Sequence, residues 1–590
     1  MPLKNKNQGK EQEEIFKLST LRHSASHILA AAVLKLFPEA RLGIGPAIHD
    51  GFYYDFELLQ PLSPEDLPKI KEGMKKIIKA NLKFERKEMN IEAALKMFQK
   101  LKQDYKVELI RDLKKKGEEK VSLYKIGDFV DLCRGPHLKS TGKLKSKAFG
   151  LLKIAGAYWK GNEKNKMLQR IYGTAFNKPE NFKKFLVNLE EAKKRDHRKL
   201  GQKLDLFSFH PEAPGMVFWH SKGWVIFQEI LKYWREEHRK VGYQEVSTPL
   251  ILSKKLWLTS GHWDHYKENM YFTKIDKREF AVKPMNCPGG LLIYNETMHS
   301  YRDLPLKMAE LGVVHRYEKG GVLNGLFRVR QFAQDDAHIF CTEKQVKEAV
   351  GTVIDLITHI YDVFGFKDYH IELSTRPKNS IGTEEMWRKA EGTLSEILEE
   401  KKIDYKVNPG EGAFYGPKID FHIKDALGRT WQCGTIQVDF AMPEAFHLFY
   451  IDRDGTKRTP VMIHRTVLGS IERFIGILIE HYGGMLPLWL APTQVAILPV
   501  SEEKHRGYAK DIARSLLLHH IRAVINKNKD SVNRKVHDAE KQRIPYILVI
   551  GDTEEKDKMV AVRTRGSQKI EKMRLDVFLE TILEKIKTKG

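Results

Sequence analysis

The sequence predicts an α+β protein of several domains, with an antiparallel sheet in the largest one. The chain has 590 residues, several times the size of one typical domain. Apolar and polar residues alternate over 418–423 and 431–440, which is typical of an antiparallel sheet with one face in water. Residues 495–500 and 546–550 are almost continuously apolar and are separated by helical patterns. This arrangement favours a small α/β unit with a parallel sheet.

Changes in the hydrophobic pattern divide the chain into five predicted segments. A helical period begins at Leu21 and ends at Pro38, and it opens a stretch of mixed strand and helix signals. Residues 181–199 predict one basic amphipathic helix. The predicted segments are a loose polar tail at 1–19, an α+β domain at 20–177, a linker helix at 178–200, a strand-rich domain at 201–488 and an α/β domain at 489–590.

Composition limits the kind of protein this chain can be. Apolar residues make up 42% of it, enough to exclude general disorder. The net charge of +24 suits a polyanion such as a nucleic acid, although a solvated basic surface explains it equally well. Four cysteines exclude a disulfide scaffold. No apolar run is long enough to span a membrane and the first ten residues lack an apolar signal core, so we expect a soluble, cytoplasmic protein.

A first cluster of reactive side chains combines two pairs at the same spacing. His23 and His27 are four residues apart on a predicted helix, and Cys133 and His137 are four apart around an Arg-Gly-Pro turn. If the pairs converge, they form a zinc site or a metal-free hydrolytic pocket, and spacing does not choose between these. The simpler alternative is that the two histidines only cover an amphipathic helix.

A second cluster joins three distant segments. Cys287 lies in a proline-bounded turn, His338 follows two aspartates, and His464 precedes an arginine. One cysteine and two histidines suit tetrahedral zinc with one position open for substrate. Nothing local links the three, so spacing alone favours the alternative that they are unrelated buried residues.

Arginines near glycines and aromatic residues suggest a site for a nucleoside triphosphate. Arg316, Glu318, Arg328 and Phe332 belong to one predicted hairpin, and Arg473 lies in an otherwise apolar helical stretch. Arginine grips phosphate through paired hydrogen bonds, and an aromatic ring stacks on a base. The sequence contains no Walker P-loop and no dinucleotide fingerprint, so a different nucleotide fold is expected.

From about residue 20 to its end, the chain resembles the bacterial threonyl-tRNA synthetases, a family of class II aminoacyl-tRNA synthetases. Gly-Tyr-Gln-Glu-Val-Ser-Thr-Pro at 242–249, the segment 316–332 and Gly-Ser-Ile-Glu-Arg-Phe at 469–474 resemble the three class II motifs. The segments that resemble the threonine enzymes in particular are 283–288, 335–340, 410–418 and 431–435 in the catalytic part, and 23–27 and 133–137 in the editing part.

The resemblance implies an antiparallel-sheet catalytic core, an α+β N-terminal editing domain and a C-terminal α/β anticodon-binding domain. The implied reaction is ATP-dependent formation of threonyl-adenylate, then transfer to the 3′ end of tRNA(Thr). Zn²⁺ is implied on Cys287, His338 and His464, and Mg²⁺ is implied with ATP. The implied threonine-binding residues are Gln334, Asp336, Tyr415, Gln432 and Gln437. The implied ATP-binding residues are Arg316, Glu318, Arg328, Phe332 and Arg473, and His262 resembles a base for the transfer step.

The resemblance also implies hydrolysis of mischarged seryl-tRNA(Thr). Serine differs from threonine by one methyl group, a difference worth only about 1–3 kcal/mol in a binding site. A second site is therefore needed, and the implied editing residues are His23, His27, Asp131, Cys133 and His137, acting without metal. Glu554 and Arg563 match positions of anticodon contact, and the 242–249 motif implies a homodimer.

The sequence departs from the family pattern in four places. Only the polar tail precedes Leu21, where many members carry an additional small domain. The loop 319–325 and the run 528–537 differ from the usual segments, and Gly290 stands where histidine is common. Two rival functions are a catalytically silent RNA-binding relative and a class II synthetase for serine or proline. The complete set of arginines and the Cys/His/His set argue against both.

Overall fold

The computed structural model describes residues 6–589 and divides the chain into two compact units, Met1–Glu190 and Glu191–Gly590. Helix α5 (Pro179–Arg195) spans the boundary in sequence. No helix among the described residues is both long and apolar enough to cross a membrane.

The first unit is an α+β assembly with two antiparallel sheets. Its helices are α1 (Lys6–Leu36), α2 (Asp66–Lys79), α3 (Ile91–Lys100) and α4 (Asp104–Lys115). Its strands are β1 (Arg41–Leu42), β2 (Ala47–Ile48), β3 (Gly51–Glu57), β4 (Glu85–Asn90), β5 (Lys120–Ile126), β6 (Phe129–Leu132), β7 (Phe149–Tyr158) and β8 (Met167–Ala175). One sheet has the order β1-β3-β8-β7, with β2 beside β3, and the other has the order β4-β5-β6. The apolar side of α1 and the residues Phe52 and Phe56 of β3 share one core.

Helix α1 starts earlier than the sequence predicted. The loose tail expected at 1–19 is wrong from residue 6 onward, because α1 begins at Lys6; residues 1–5 lie outside the described residues. Leu18 packs against the core, and Glu13 and Lys17 form an ion pair one turn apart at 2.6 Å. Such contacts stabilise the polar N-terminal part of α1 as helix, although its composition alone does not predict one.

The predicted linker helix is two helices. We expected one helix over 181–199, but α5 ends at Arg195 and α6 (His197–Lys203) begins after Asp196. The Asp196 side chain accepts a hydrogen bond from the backbone N–H of Arg198 at 2.9 Å. Aspartate is a favoured N-cap, so this residue starts a new helix rather than continuing the old one.

The second unit contains the strand-rich part and the C-terminal α/β part. Its remaining helices are α7 (Ser221–Lys240), α8 (Lys254–Thr259), α9 (His262–Tyr266), α10 (Cys287–Tyr294), α11 (Val346–Val363), α12 (Glu384–Glu400), α13 (Ala441–Ala445), α14 (Ile471–Tyr482), α15 (Glu502–Leu518), α16 (Val532–Lys541), α17 (Asp552–Asp557) and α18 (Leu575–Lys587). Its strands up to the middle of the large sheet are β9 (Phe207–Ser208), β10 (Phe218–Trp219), β11 (Gln244–Glu245), β12 (Ile251–Ser253), β13 (Tyr271–Ile275), β14 (Arg278–Val282), β15 (His299–Ser300), β16 (Leu306–His315) and β17 (Gln331–Cys341). The later strands are β18 (Tyr369–Ser374), β19 (Tyr405–Asn408), β20 (Lys418–Lys424), β21 (Thr430–Asp439), β22 (Tyr450–Ile451), β23 (Lys457–Arg458), β24 (Val461–Thr466), β25 (Val495–Pro499), β26 (Ala523–Ile525), β27 (Tyr546–Ile550), β28 (Met559–Thr564) and β29 (Ile570–Arg574).

An eight-stranded sheet organises the catalytic part. Its order is β11-β16-β17-β24-β21-β20-β18-β19, and all its pairs are antiparallel except β11–β16 and β18–β19. One face packs on α7, α11, α12 and α14 in a single large core. In β20 the core side chains Ile419, Phe421 and Ile423 alternate with Asp420 and others on the opposite face. The antiparallel sheet predicted from the alternation at 418–423 and 431–440 is confirmed, and the two strands pair with each other.

The C-terminal sheet is mixed. Its order is β26-β25-β27-β28-β29, and β25 runs parallel to both β26 and β27. The parallel pair expected from the apolar runs 495–500 and 546–550 is confirmed. The antiparallel strands β28 and β29 were not predicted. The residues of β29 are mostly polar and exposed and give a weak strand signal, whereas β28 is a short apolar run with Val560, Ala561 and Val562 buried.

A buried carboxylate connects β17 to the start of α14. Asp335 is inaccessible to solvent, and its two oxygens accept hydrogen bonds from the backbone N–H groups of Val467, Leu468 and Gly469 at 2.8–3.0 Å. The indole N–H of Trp234 in α7 adds a fourth bond at 3.2 Å. Four donors on one side chain hold the loop between β24 and α14 against the sheet.

Asp335→Asn should destabilise the second unit. In either orientation of the asparagine amide, its NH₂ group faces a backbone N–H that Asp335 now accepts from. Buried donors are then left unpaired, which should lower the free energy of unfolding by about 2–4 kcal/mol. A thermal melt followed by circular dichroism should show a lower midpoint. The matched control is Asp355→Asn on α11, where the carboxylate is 69% exposed and pairs with Lys401. Its change should stay within about 0.5 kcal/mol. Equal midpoints for the two variants would contradict this account.

Candidate active site and candidate editing site

Four predicted site residues share one face of β17. Side chains alternate along a strand, so Phe332, Gln334, Asp336 and His338 all point to the face opposite the helices. Ala337, between two of them, belongs to the core on the other side. The sequence run 331–341 therefore supplies both a buried apolar stripe and a row of functional groups.

The register of the neighbouring strands extends this row across the sheet. His338 lies directly opposite His464 of β24, and His464 lies opposite Gln437 of β21. Directly opposed residues of antiparallel strands project from the same face. The Tyr415 hydroxyl donates a hydrogen bond to Gln437 Oε1. Segments far apart in sequence thus meet at one place.

Cys287, His338 and His464 form a compact donor set. Cys287 is the first residue of α10, and one ligand atom from each of the three lies within 4.8 Å of the others. All three side chains are buried. His464 Nε2 lies 2.9 Å from Asp439 Oδ2, and a carboxylate behind a histidine is a common means of orienting a metal ligand.

Burial sets the protonation of this donor set. It raises the pKa of the Cys287 thiol well above its usual range, with nearby carboxylates acting in the same direction. It also lowers the pKa of His338 well below the usual value. Neutral imidazole is the form that binds a metal, and a thiol loses its proton when the metal arrives. The donors therefore fit tetrahedral zinc with one position open.

A cavity of about 340 Å³ adjoins these donors. Asp336 lies in its wall and accepts a hydrogen bond from Asn286 Nδ2 at 2.7 Å. Burial raises the pKa of the Asp336 carboxyl, so a bound ammonium would stabilise its charged form. Tyr415 and Gln437 complete the polar lining.

A second cavity of about 530 Å³ carries the arginines. Arg316 and Gln334 line both cavities, so the two spaces share a wall. Arg328 and Glu318 form an ion pair at 2.8 Å. The guanidinium of Arg316 lies 5.1 Å from the centre of the Phe332 ring.

Arg473 reaches the same larger cavity from α14. Its Nε donates to the Phe327 carbonyl at 3.0 Å, which leaves its other donors for an anion. Gln432, expected in the threonine pocket, lines this larger cavity and not the smaller one. A register shift between Phe421 and His422 separates it from Gln437 along β21, and its amide donates to Asp420 at 2.6 Å.

His262 lies behind the cavity wall. It is inaccessible to solvent, with Nδ1 2.8 Å from Ser260 Oγ and Nε2 2.9 Å from Met285 Sδ. Burial lowers its pKa to about 4, so the imidazole is neutral. Met285 lines the smaller cavity and separates His262 from it, and the role of His262 in transfer stays a prediction.

The two pairs of the first cluster converge, which is one of the possibilities that their spacing left open. His23 and His27 of α1 meet Cys133 and His137, and one ligand atom from each lies within 4.8 Å of the others. Cys133 Sγ is 3.4 Å from His23 Nε2 and 3.2 Å from His137 Nε2. The segment carrying Cys133 and His137 contains a cis bond before Pro136.

The groups of this cluster are uncharged near neutral pH. Burial lowers the pKa of His137 to about 2 and that of His27 well below its usual range. It also lowers the pKa of His23 and raises that of the Cys133 thiol to about 11. Neutral imidazoles can hold a water molecule or a metal ion equally, so the donor set alone suits both.

Asp131 is the charged neighbour of the cluster. It lies 3.3 Å from His27 Nδ1 and 2.5 Å from Lys106 Nζ, and all three side chains are buried. Tyr54 donates its hydroxyl to Asp131 at 2.5 Å. Sequence analysis missed Lys106, because it lies between the apolar residues Tyr105 and Val107 in a helical stripe.

Lys283 was also missed as a buried charge near the active site. Its Nζ lies 2.8 Å from Glu310 Oε1 and 2.9 Å from Thr248 Oγ1. The lysine precedes Cys287 by four residues, within the run 283–288. The position of Lys283 in that run could have marked it as a site residue. Its ion-pair partner, Glu310 on β16, could not be recognised from the sequence.

The two predicted anticodon residues already have partners within the C-terminal part. Glu554 accepts a hydrogen bond from the backbone of Gly551 at 3.0 Å, where α17 begins, and pairs with Lys572 at 2.9 Å. Arg563 pairs with Glu540 at 2.7 Å. Both residues therefore stabilise the fold of this part, and contact with RNA stays a prediction.

Three family models match this chain. They are the tRNA synthetase class II core domain (G, H, P, S and T) over residues 271–482, the anticodon binding domain over 494–585, and the threonyl and alanyl tRNA synthetase second additional domain over 121–172. Each match lies within one of the segments predicted from sequence.

Curated relatives and a solved structure agree with these matches. The chain is 57% identical to the threonine–tRNA ligase of Acetivibrio thermocellus over 96% of its own length and 88% of that protein. It is 55% identical to the threonine–tRNA ligase of Desulforamulus reducens over the same shares. It also resembles the RNA binding domain of threonyl-tRNA synthetase from Cryptosporidium parvum Iowa II, with a TM-score of 0.64 and 43% identity over 66% of this chain and 98% of that one. This chain therefore belongs to the threonine–tRNA ligase family of class II aminoacyl-tRNA synthetases.

Proposed function

We propose that this chain ligates L-threonine to tRNA(Thr) in two steps and hydrolyses seryl-tRNA(Thr). One observation carries the proposal: a Cys/His/His donor set and a carboxylate line one cavity, an arginine-lined cavity adjoins it, and Arg316 and Gln334 line both. We assign editing to residues 20–177, amino-acid activation to 201–488 and anticodon binding to 489–590, and the three family matches support this division.

Threonine occupies the smaller cavity. Cys287, His338 and His464 would hold zinc, which would supply a Lewis acid for the amino and hydroxyl groups of threonine. Asp336 accepts hydrogen bonds from the amino group, and Tyr415 closes the pocket beside it. A site built around a hydroxyl rejects valine strongly, because valine leaves the polar position without a partner.

ATP occupies the larger cavity and enters with Mg²⁺. Arg316 holds the α-phosphate beside the threonine carboxylate, and Arg473 holds the γ-phosphate. A carboxylate oxygen attacks the α-phosphorus and pyrophosphate leaves with the bonding electrons. Arginines stabilise the charge that develops on the phosphate oxygens.

The adenine base and the transfer step use further residues of the same part. Phe332 stacks on adenine, Glu318 accepts from its amino group, and Arg328 holds Glu318 in position. His262 assists transfer to the tRNA 3′ end once Met285 moves aside, since Met285 is the side chain between it and the cavity.

The Cys/His cluster of the first unit removes serine from tRNA(Thr). His23, His27, Cys133 and His137 position a water molecule for attack on the ester carbonyl, without bound metal. Their neutral state supports a positioning role, because the ring nitrogen of an uncharged imidazole can accept a hydrogen bond from water and orient it. Asp131, held by Lys106, orients His27.

The proposal includes a cytoplasmic homodimer that recognises tRNA(Thr) through its basic C-terminal part. Glu554 and Arg563 are the candidate anticodon contacts, and the segment 242–249 lies at the candidate dimer interface. Sedimentation equilibrium should give about twice the chain mass of 68.4 kDa. A monomer at micromolar concentration would contradict the dimer.

Cys287→Ser should abolish the binding of zinc and the activation of threonine. Serine is a poor zinc ligand, and loss of a direct ligand should exceed the 10–100-fold effect typical of an outer-shell change. Elemental analysis should find about one zinc per wild-type chain and almost none in the variant, and threonine-dependent ATP–pyrophosphate exchange should fall in parallel. The control is Cys341→Ser, because Cys341 is buried at the end of β17 outside the donor set. Normal exchange by Cys287→Ser would overturn the zinc assignment.

The double variant His23→Ala/His27→Ala should lose editing and keep activation. Acid–base positioning contributes about 10²–10⁴-fold to such reactions, so hydrolysis of seryl-tRNA(Thr) should slow at least 100-fold. Pyrophosphate exchange with threonine should stay unchanged, because the variant leaves the second unit intact. His49→Ala is the control, since this imidazole is 96% exposed. Unchanged hydrolysis would place editing elsewhere in the chain.

Measuring the zinc content tests whether the editing cluster works with or without a bound metal. If the cluster works without metal, Cys133→Ser should retain the same zinc content as the wild type. A fall of one zinc per chain in this variant would identify a metal-dependent editing site.

A further inference from the structure

A third group of donor side chains lies on the eight-stranded sheet, outside both cavities. His370 of β18 is directly opposite His422 of β20, and Glu372 follows His370 by two residues on the same face. The three belong neither to the Cys/His/His set nor to the arginine-lined cavity. Sequence analysis missed them, because the β18–β20 register joins segments some fifty residues apart.

The donor atoms of this group lie close together, with one ligand atom from each residue within 4.8 Å of the others. The two imidazole rings are parallel within 9°, with centroids 4.6 Å apart. Glu372 Oε1 is 3.4 Å from His370 Nε2, and Glu372 Oε2 is 3.7 Å from His422 Nε2. Ligands at 2.0–2.1 Å in a tetrahedron lie about 3.3 Å from one another. The two Glu372 distances are close to that value, and the stacked rings would have to turn about χ2 for both nitrogens to point at one ion.

The contacts within the group leave a ligand position unfilled. His422 Nε2 is buried and has no hydrogen-bond partner, an arrangement that is uncommon for a buried polar atom. Asn408 Nδ2 donates to Glu372 Oε2 at 3.1 Å and fixes the carboxylate. A metal ion at this position would satisfy the unpaired nitrogen and the carboxylate together.

The surroundings admit an ion from solvent. The side chains of His370, Glu372 and His422 are 39%, 23% and 19% exposed, so water can complete the coordination. Among the nearby lysines, Lys406 of β19 lies opposite Glu372 in register, whereas Lys418 pairs with Asp420 and Lys424 pairs with Asp368.

We propose that His370, Glu372 and His422 form a second binding site for a divalent transition-metal ion, with Zn²⁺ as its natural class of ligand. Two imidazole nitrogens and one carboxylate oxygen suit zinc, cobalt and nickel, and the absence of a thiolate makes the site weaker than a cysteine-containing one. The ion exchanges with solvent, whereas the buried Cys287 site retains its metal.

The His370/Glu372/His422 group is one strand away from the larger, arginine-lined cavity. His422 lies opposite Gln432 of β21 in register, and Gln432 lines the larger cavity. Gln432 also donates to Asp420, which lies opposite Glu372. The ion would therefore sit next to a residue of the nucleotide site without taking part in its chemistry.

The test is equilibrium dialysis of Zn²⁺ against full-length protein that was washed with a weak chelator and retains its tightly held zinc. The wild type should take up one further equivalent at this site. His370→Gln and Glu372→Gln should each weaken that uptake about 100-fold or more, since each removes a direct ligand. Both variants should keep the wild-type melting midpoint and threonine-dependent exchange, because neither residue lines a cavity.

Two matched variants make the result specific. His359→Gln removes an exposed imidazole that lies 3.4 Å from Glu237 on another part of the fold, and it should bind Zn²⁺ as the wild type does. His23→Ala/His27→Ala should also keep the further equivalent, which separates this site from the editing cluster. Loading the site with Co²⁺ should add no thiolate charge-transfer absorption. Equal uptake by wild type, His370→Gln and Glu372→Gln would overturn the proposal, as would loss of the equivalent in His23→Ala/His27→Ala alone.

Discussion

The active site depends on the register of antiparallel strands. His338, His464 and Gln437 come from three strands and lie side by side only because β17, β24 and β21 pair residue by residue as they do. A slip of one residue would turn each of these side chains into the helical core. The helices on the other face prevent that slip, because they bury the alternate residues. The same large core that stabilises the fold therefore fixes the positions of the catalytic groups.

The two Cys/His clusters of this chain have different surroundings, which suit them to different chemistry. The Cys287 set lies beside carboxylates and an arginine at the junction of two cavities. Charges at this position can stabilise a bound metal ion and a charged ligand. The His23 cluster is attached to a helix and a turn, and its one charged neighbour, Asp131, is already neutralised by Lys106. Desolvation lowers the pKa of His338 and of the histidines of the first cluster, and it raises the pKa of both thiols. The clusters differ in their donors, one cysteine with two histidines against one cysteine with three, and in what surrounds those donors.

Local patterns in the sequence predicted a large part of this structure. The alternation at 418–423, the parallel strands near residues 495 and 546, and the four-residue spacing of the first cluster all correspond to observed features. Failures came where a local signal competed with a distant one. Leu18 and Asp196 changed the bounds of helices through a core contact and an N-cap. The shift of Gln432 to the other cavity and the His370–His422 pair follow from strand register. The enclosure of His262 follows from its contact with Met285, 23 residues further along the chain. No short sequence pattern encodes either kind of contact.

The central claim is that one sulfur and two nitrogens hold a zinc ion that senses the hydroxyl of threonine. The most direct measurement is zinc K-edge X-ray absorption on chelator-washed protein, with and without threonine. Without threonine, the account predicts one sulfur at about 2.3 Å and two nitrogens at about 2.0–2.1 Å. Adding threonine should raise the number of nitrogen and oxygen neighbours, whereas valine should not reproduce that change. A zinc shell without sulfur, or one that threonine leaves unaltered, would contradict the account.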